Sequence, residues 1–222
     1  MDIYPKLITN VDTSERVVAL TFDDGPHPIY TPRVLDVLAK HEAKATFFMV
    51  GESARKYPAI VKRVAMEGHV IGNHTWNHPF LPHVRSRVHR LRQMWDCSRA
   101  TAPFGQRLFR PPFGAQNTQV RLDAFMFRYK VIMWNVSAQD WIPQSAEEIA
   151  EKIIGRVKEG NIFLLHDAMV GSKVPEEPGG RDSMVEGLEK ALIVLDRKIR
   201  FVTIPEILSV GRPVFKWPLN AE

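Results

Sequence analysis

Apolar and polar positions follow two rhythms along this chain. Short runs rich in β-branched and aromatic residues, at 17–22, 46–51, 70–73, 108–110, 131–136, 162–165 and 201–204, read as buried strands. Longer stretches with apolar residues at helical spacing follow most of them, at 31–41, 58–67, 84–99, 118–128, 146–159 and 183–197. Alternation of this kind predicts an α/β fold with a parallel sheet or barrel. Local signals mark two helix starts: Thr31-Pro32 offers a cap followed by proline at the first helical position, and Ser145 with Glu148 matches a capping box.

No repeat, low-complexity tract or linker divides the 222 residues. A single domain over 16–210 is expected, with an N-terminal extension, 1–15, and a C-terminal tail, 211–222. The longest stretch without periodicity, 168–182, holds two prolines and three glycines and reads either as a binding loop or as a solvated connection. Hydrophobic residues at 45% and charged residues at 25% supply a sizeable core and argue against disorder. The single cysteine, Cys97, excludes an internal disulfide and suits a small buried apolar role in its helix.

Charge adds a bias towards partners without naming one. The net charge of +5 and pI near 9.4 favour an anionic polymer, and Arg85, Arg87, Arg90 and Arg92 form a candidate contact for anionic cell-wall material. A solvated helix face is the plainer account of that cluster. Nucleic acid is not expected, because no recognised nucleic-acid-binding motif accompanies the charge. There is no apolar run of transmembrane length, and residues 1–10 lack the basic start and apolar block of a secretion signal. The compartment stays open: cell envelope or extracellular if an export signal was removed, cytoplasmic otherwise.

Candidate chemistry gathers where the predicted strands end. The run 17–22 leads into Asp23-Asp24-Gly25-Pro26, two adjacent carboxylates followed by a turn. Neighbouring side chains on a strand point to opposite faces, so Asp23 and Asp24 can occupy different subsites of one pocket. After 70–73 comes His74-Thr75-Trp76-Asn77-His78, whose histidines four apart would share one face of a helical turn. Asp24 with His74 and His78 makes a two-imidazole, one-carboxylate set suited to Zn²⁺ or a neighbouring first-row ion. Further strand ends carry Arg110-Pro111-Pro112-Phe113-Gly114, Asp140-Trp141 and Leu164-Leu165-His166-Asp167. An arginine can pair bidentately with a carboxylate, which suits Arg110 to hold Asp23 ionised.

In this order, the five stretches resemble the polysaccharide deacetylase family, the NodB-homology domain of carbohydrate esterase family four. That resemblance implies a distorted (β/α)7 barrel, a divalent metal, usually zinc with cobalt or a similar ion possible, and hydrolysis of acetyl groups on sugar polymers. Position by position it implies Asp23 as general base towards metal-bound water, Asp24, His74 and His78 as metal ligands, and His166 as general acid. It further implies Arg110 as partner of the base, Asp140 as partner of His166, Trp141 and Leu164 as walls of the acetyl-methyl pocket, and the Phe113 N–H as an oxyanion donor. Two departures stand out: Ser137 where many members carry another aspartate, and a long 168–182 loop. The expected substrate is an acetylated glycan, with N-acetylglucosamine in peptidoglycan or chitin oligomers leading. The alternatives are an O-acetyl esterase of the xylan type and a silent glycan-binding module; the latter usually loses a base, ligand or acid that this chain retains.

Overall fold

The computed structural model describes residues 6–170 and 180–215. The first half runs β1 (Leu7–Asp12), β2 (Val17–Asp23), α1 (Tyr30–Lys40), β3 (Ala45–Met49), α2 (Gly51–Lys56), α3 (Pro58–Met66), β4 (Val70–Asn73), α4 (Arg87–Ala100) and β5 (Gly105–Phe109). It continues with α5 (Thr118–Met126), β6 (Lys130–Ile132), β7 (Val136–Ser137), α6 (Ala146–Ile154), β8 (Ile162–His166), α7 (Asp182–Leu195), β9 (Arg200–Phe201), α8 (Ile204–Ser209) and β10 (Arg212–Phe215). The strands lie in the order β10-β1-β6-β5-β4-β3-β2-β8-β7, with β9 beside β2. Every pairing is parallel except β10 against β1.

One departure from the predicted elements explains how the sheet wraps into a distorted α/β barrel. The run 131–136, read as one strand, is two: β6 pairs with β1 and β5 at one end of the sheet, and β7 pairs with β8 at the other. The three residues between them cross the seam, with Met133 N–H donating to Ile8 O (2.7 Å) and Asn135 N–H to Ile162 O (3.2 Å). Val11 N–H donates to Gly160 O (2.9 Å) across the same gap.

Strand alternation decides what faces the interior. On β2, Val18, Leu20 and Phe22 pack outward against α1, α6 and α7, while Val17 and Ala19 join Phe48, Leu108, Ile132 and Ile162 inside the barrel. Phe22 and Phe47 stack at 5.1 Å, nearly inaccessible to solvent, each contributing about 1.5–3 kcal/mol by burial. Gly72 is required on β4 because a Cβ there would lie 2.5 Å from the Phe48 ring. The same parity carries Thr21 and Asp23 inward on β2, and Leu164 and His166 inward on β8.

Several local expectations need correction. Residues 7–12 and 212–215, assigned to an extension and a tail, are both strands of the sheet, paired with each other. Their pattern is short, and what makes them strands is a partner some 200 positions away. The short helices α2 and α8 fall where strand ends were expected, and α8 opens with a Thr203–Glu206 capping box. The capping box at Ser145 and Glu148 is present. Thr31 is not a cap: α1 begins at Tyr30, and the Thr31 hydroxyl instead donates to Asp167. Cys97 is buried and free, its thiol pushed up to about 12 by burial.

The basic cluster is divided: Arg85, Arg87 and Arg92 are exposed, whereas Arg90 is packed inside. Arg90 is buried and donates to Asp123 Oδ2 (2.7 Å) and Val84 O (2.7 Å), and Arg87 donates to Asp123 Oδ1 (3.1 Å). Two of the four arginines thus lock α4 to α5, and contact with an anionic wall polymer is not supported. No helix among the described residues is long and apolar enough to cross a membrane.

Candidate active site

Asp24, His74 and His78 meet at the C-terminal rim of the barrel, with one ligand atom from each within 4.8 Å of the others. Asp24 Oδ1 lies 3.4 Å from His74 Nε2 and 3.2 Å from His78 Nε2, is buried, and has no hydrogen-bond donor among the described residues. Asp24 follows the last residue of β2 with φ +77°, a left-handed kink that swings its side chain off the strand, and Val170 N–H (3.0 Å) secures Oδ2. His74 Nδ1 lies 2.8 Å from the Arg110 carbonyl oxygen. A carbonyl only accepts, so Nδ1 carries the proton and Nε2 presents its lone pair to the centre.

The two histidines do not share a helical turn. β4 ends at Asn73, and Thr75 and His78 both have positive φ, +68° and +57°. Asn73 Oδ1 accepts from Thr75 N–H (2.9 Å), Thr75 Oγ1 accepts from His78 N–H (3.1 Å), and Gln93 Oε1 accepts from the N–H groups of Trp76 and Asn77 (3.1 Å each). Pro79 disfavours a helical His78, and these braces replace the missing helix.

The charge states suit a cation. Burial alone would raise the Asp24 carboxyl, but the imidazoles of His74, His78 and His166 outweigh it and hold it at about 2. Burial, reinforced by neighbouring His74, pushes His78 down to about 4. At neutral pH the centre therefore offers one carboxylate and neutral imidazole, the donor set a divalent first-row ion takes.

Asp23 stands beside this centre, its Oδ2 3.8 Å from His74 Nε2. Arg110, fully buried, donates from Nη1 to Asp23 Oδ1 (2.7 Å) and Thr21 Oγ1 (2.7 Å), from Nε to Ile132 O (3.1 Å) and from Nη2 to Met133 O (2.9 Å). Two of its acceptors lie at the barrel seam, so the β6–β7 crossing sets the guanidinium that holds Asp23. Its plane also lies over the Phe48 ring, 4.2 Å from the centroid.

Opposite, His166 is the register partner of Asp23 across the β2–β8 ladder. Asp140 accepts from His166 twice, at Nδ1 (2.9 Å) and at the backbone N–H (2.8 Å). Burial would lower the His166 pKa, but Asp140, with Asp23 and Asp24 nearby, raises it above the ordinary histidine value. Trp141, 42% exposed, stands edge-on to His166 at 5.6 Å, and Leu164 is buried two residues earlier on the same face of β8. Phe113 has φ +59°, is 64% exposed and packs edge-on against His78 at 4.5 Å, which fixes the turn that presents its backbone. The ten residues singled out from the sequence thus all lie at or just beyond the C-terminal ends of β2, β4, β5, β7 and β8.

Three contributors were not anticipated as site residues. Gln93 braces the histidine loop from α4. Asp167, fully buried and pushed up to about 7 by burial, takes the Thr31 hydroxyl and fills the space that Gly25, lacking a Cβ, leaves open. Arg181, ahead of α7, reaches Asp140. The adjacency of Asp167 to His166 was the only sequence signal among them. The 168–182 loop lies largely outside the described residues, which stop at 170 and resume at 180.

A barrel whose rim carries a carboxylate–imidazole cation centre flanked by a paired carboxylate and a paired imidazole defines a hydrolase of the α/β-barrel class. The model for polysaccharide deacetylases matches residues 10–132, and the chain belongs to that family. A peptidoglycan-N-acetylglucosamine deacetylase of Bacillus cereus is 37% identical over 199 residues, 88% of this chain and 69% of its own length. A chitooligosaccharide deacetylase of Sinorhizobium fredii is 32% identical over 91% of this chain and 97% of its own. Among solved structures, the Bc1960 peptidoglycan N-acetylglucosamine deacetylase bound to 4-naphthalen-1-yl-N-oxidanyl-benzamide superposes with TM-score 0.82 at 33% identity, covering 95% of this chain and 96% of that one.

Proposed function

We propose that this chain hydrolyses N-acetyl groups on N-acetylglucosamine-containing glycans, peptidoglycan or chitin-type oligomers, with a divalent metal at Asp24, His74 and His78. The observation that carries this reading is the pairing of that centre with Asp23 on one side and His166, its register partner, on the other. Two imidazoles and a carboxylate suit Zn²⁺ best, with Co²⁺ as a workable substitute. A cation held there would polarise the acetyl carbonyl and acidify a water, which an unreactive amide needs.

The chain's own groups supply the rest. Arg110 occupies Asp23 Oδ1 and leaves Oδ2 to take the proton of the attacking water. The Phe113 N–H would donate to the developing oxyanion, a contribution of roughly 3 kcal/mol in other hydrolases. As the carbon–nitrogen bond breaks, His166 gives its proton to the nitrogen, which cannot depart as an anion, and acetate and a free amine remain. Asp140 keeps that proton on His166 before the transfer. Leu164 and Trp141 shape an apolar wall for the acetyl methyl group.

Acetate release should be measured against chitin oligomers, peptidoglycan and acetylxylan, after chelation and after adding back Zn²⁺ or Co²⁺. Metal-dependent release from the N-acetylated polymers is the expected result. Release from acetylxylan alone would replace the amidase reading with an esterase one, and no release from any polymer at full metal loading would leave a binding module.

A further inference from the structure

Asp140 is the most heavily committed side chain of the acid arm. Wholly shielded from solvent, it uses both oxygens on His166. Among the described residues, Arg181 is its other charged partner: Nη1 lies 3.7 Å from Asp140 Oδ2, and Nη2 donates to the carbonyl oxygen of Asp140 itself. One guanidinium thus holds the side chain and the main chain of the same residue, and with them the stretch that places Trp141 against His166.

Local preferences would not put Arg181 there. It is the N-cap residue of α7, makes no side-chain cap, and is only 7% exposed. A cation at a helix N-terminus is disfavoured by the helix dipole, and an arginine is rarely buried without a specific partner. Its neighbour Asp182 pairs with Arg33 of α1, so the start of α7 is anchored on both sides and aims Arg181 inward. Without it, Asp140 would be a buried carboxylate with His166 as its sole cationic partner among the described residues, a costly arrangement that invites movement.

We infer that Arg181 is a positioning residue for proton delivery: by clamping Asp140 at two points, it keeps His166 aimed at the departing nitrogen. The inference rests on the reading of His166 as the acid, and the test separates the two. Arg181→Met and Arg181→Lys would be assayed as full chains at saturating Zn²⁺ on a chitin oligomer and on an aryl acetate, whose leaving group departs without protonation. Arg181→Met should lower kcat on the amide about 10–100-fold, as partners one step removed from reacting groups do, with KM and bound zinc unchanged. The aryl acetate rate should stay within about twofold, because no proton need be delivered to it. Arg181→Lys should recover part of the amide rate, and it still gives the reading if the methionine variant does not fold.

His166→Ala serves as the reference. If it spares the ester while Arg181→Met harms both substrates equally, or neither, Arg181 is a structural tie and the inference falls. If His166→Ala itself harms amide and ester alike, the acid assignment fails and the inference falls with it.

Discussion

Two imidazole corners sit within one site and are driven in opposite directions. His78, beside His74 on an irregular loop, is pushed down to about 4 by burial, reinforced by neighbouring His74. His166, at the end of a regular strand, experiences burial too, yet Asp140 raises it. Burial favours the neutral imidazole at His78, whereas His166 holds its extra proton more tightly. The same residue type serves both as candidate ligand and as candidate acid, and the neighbouring carboxylate geometry decides which. Asp24 Oδ1 faces the ring nitrogens of both His74 and His78 but makes no hydrogen bond, whereas Asp140 makes two with His166.

That contrast is tested most severely by His78→Ala, which should abolish both tight metal binding and turnover, read by metal analysis after dialysis and by acetate release. Retention of stoichiometric zinc in this variant would remove the metal corner from the account. Asp23→Asn should bind metal as the parent does while losing about 10²–10⁴-fold in rate, the usual share of a general base. A parallel loss of metal would mean that Asp23 is a ligand and that the two adjacent carboxylates have no division of labour.

His166→Ala should cost about 10²–10⁴-fold on the amide and markedly less on an ester, because an alkoxide leaves more readily than an amine anion. Smallest is the effect of Asp167→Asn, which concerns stability. Burial pushes Asp167 up to about 7, so the folded protein holds a proton that the unfolded chain releases near its ordinary value of 3.8. Its stabilising contribution is complete below about 4 and is lost as pH rises through about 7. The asparagine variant should lose less melting temperature than the parent between pH 5 and pH 8, a difference on the order of 2 kcal/mol at the upper end. Equal losses in the two proteins would show that Asp167 carries no such linkage.

Strand ends were readable because a buried strand announces itself by composition and the residues after it are displayed at the rim. Asp23, Asp24, His74, Arg110 and His166 each follow or close an apolar run, and each lies at the rim. The loop 74–80 was misread as a helical turn because its shape comes from Gln93 and from side chains accepting backbone N–H groups, which leave no periodic mark. The same holds for β1 and β10, whose ladder pairs residues about 200 positions apart, and for 131–137, where one apolar run supplies an inner strand beside β1 and the edge strand beside β8.

By itself, the amino-acid order determined which chemical groups the chain brings to the barrel rim, since strand parity and the residues closing each run are local properties. Only the tertiary structure decided their states and aim: the closing of the seam that feeds Arg110 its acceptors, the left-handed turn at Asp24, and the reach of Arg181 to Asp140. The physical reason is range. Secondary structure answers to neighbours a few positions away, whereas proton affinity and orientation answer to buried partners that the fold alone makes adjacent.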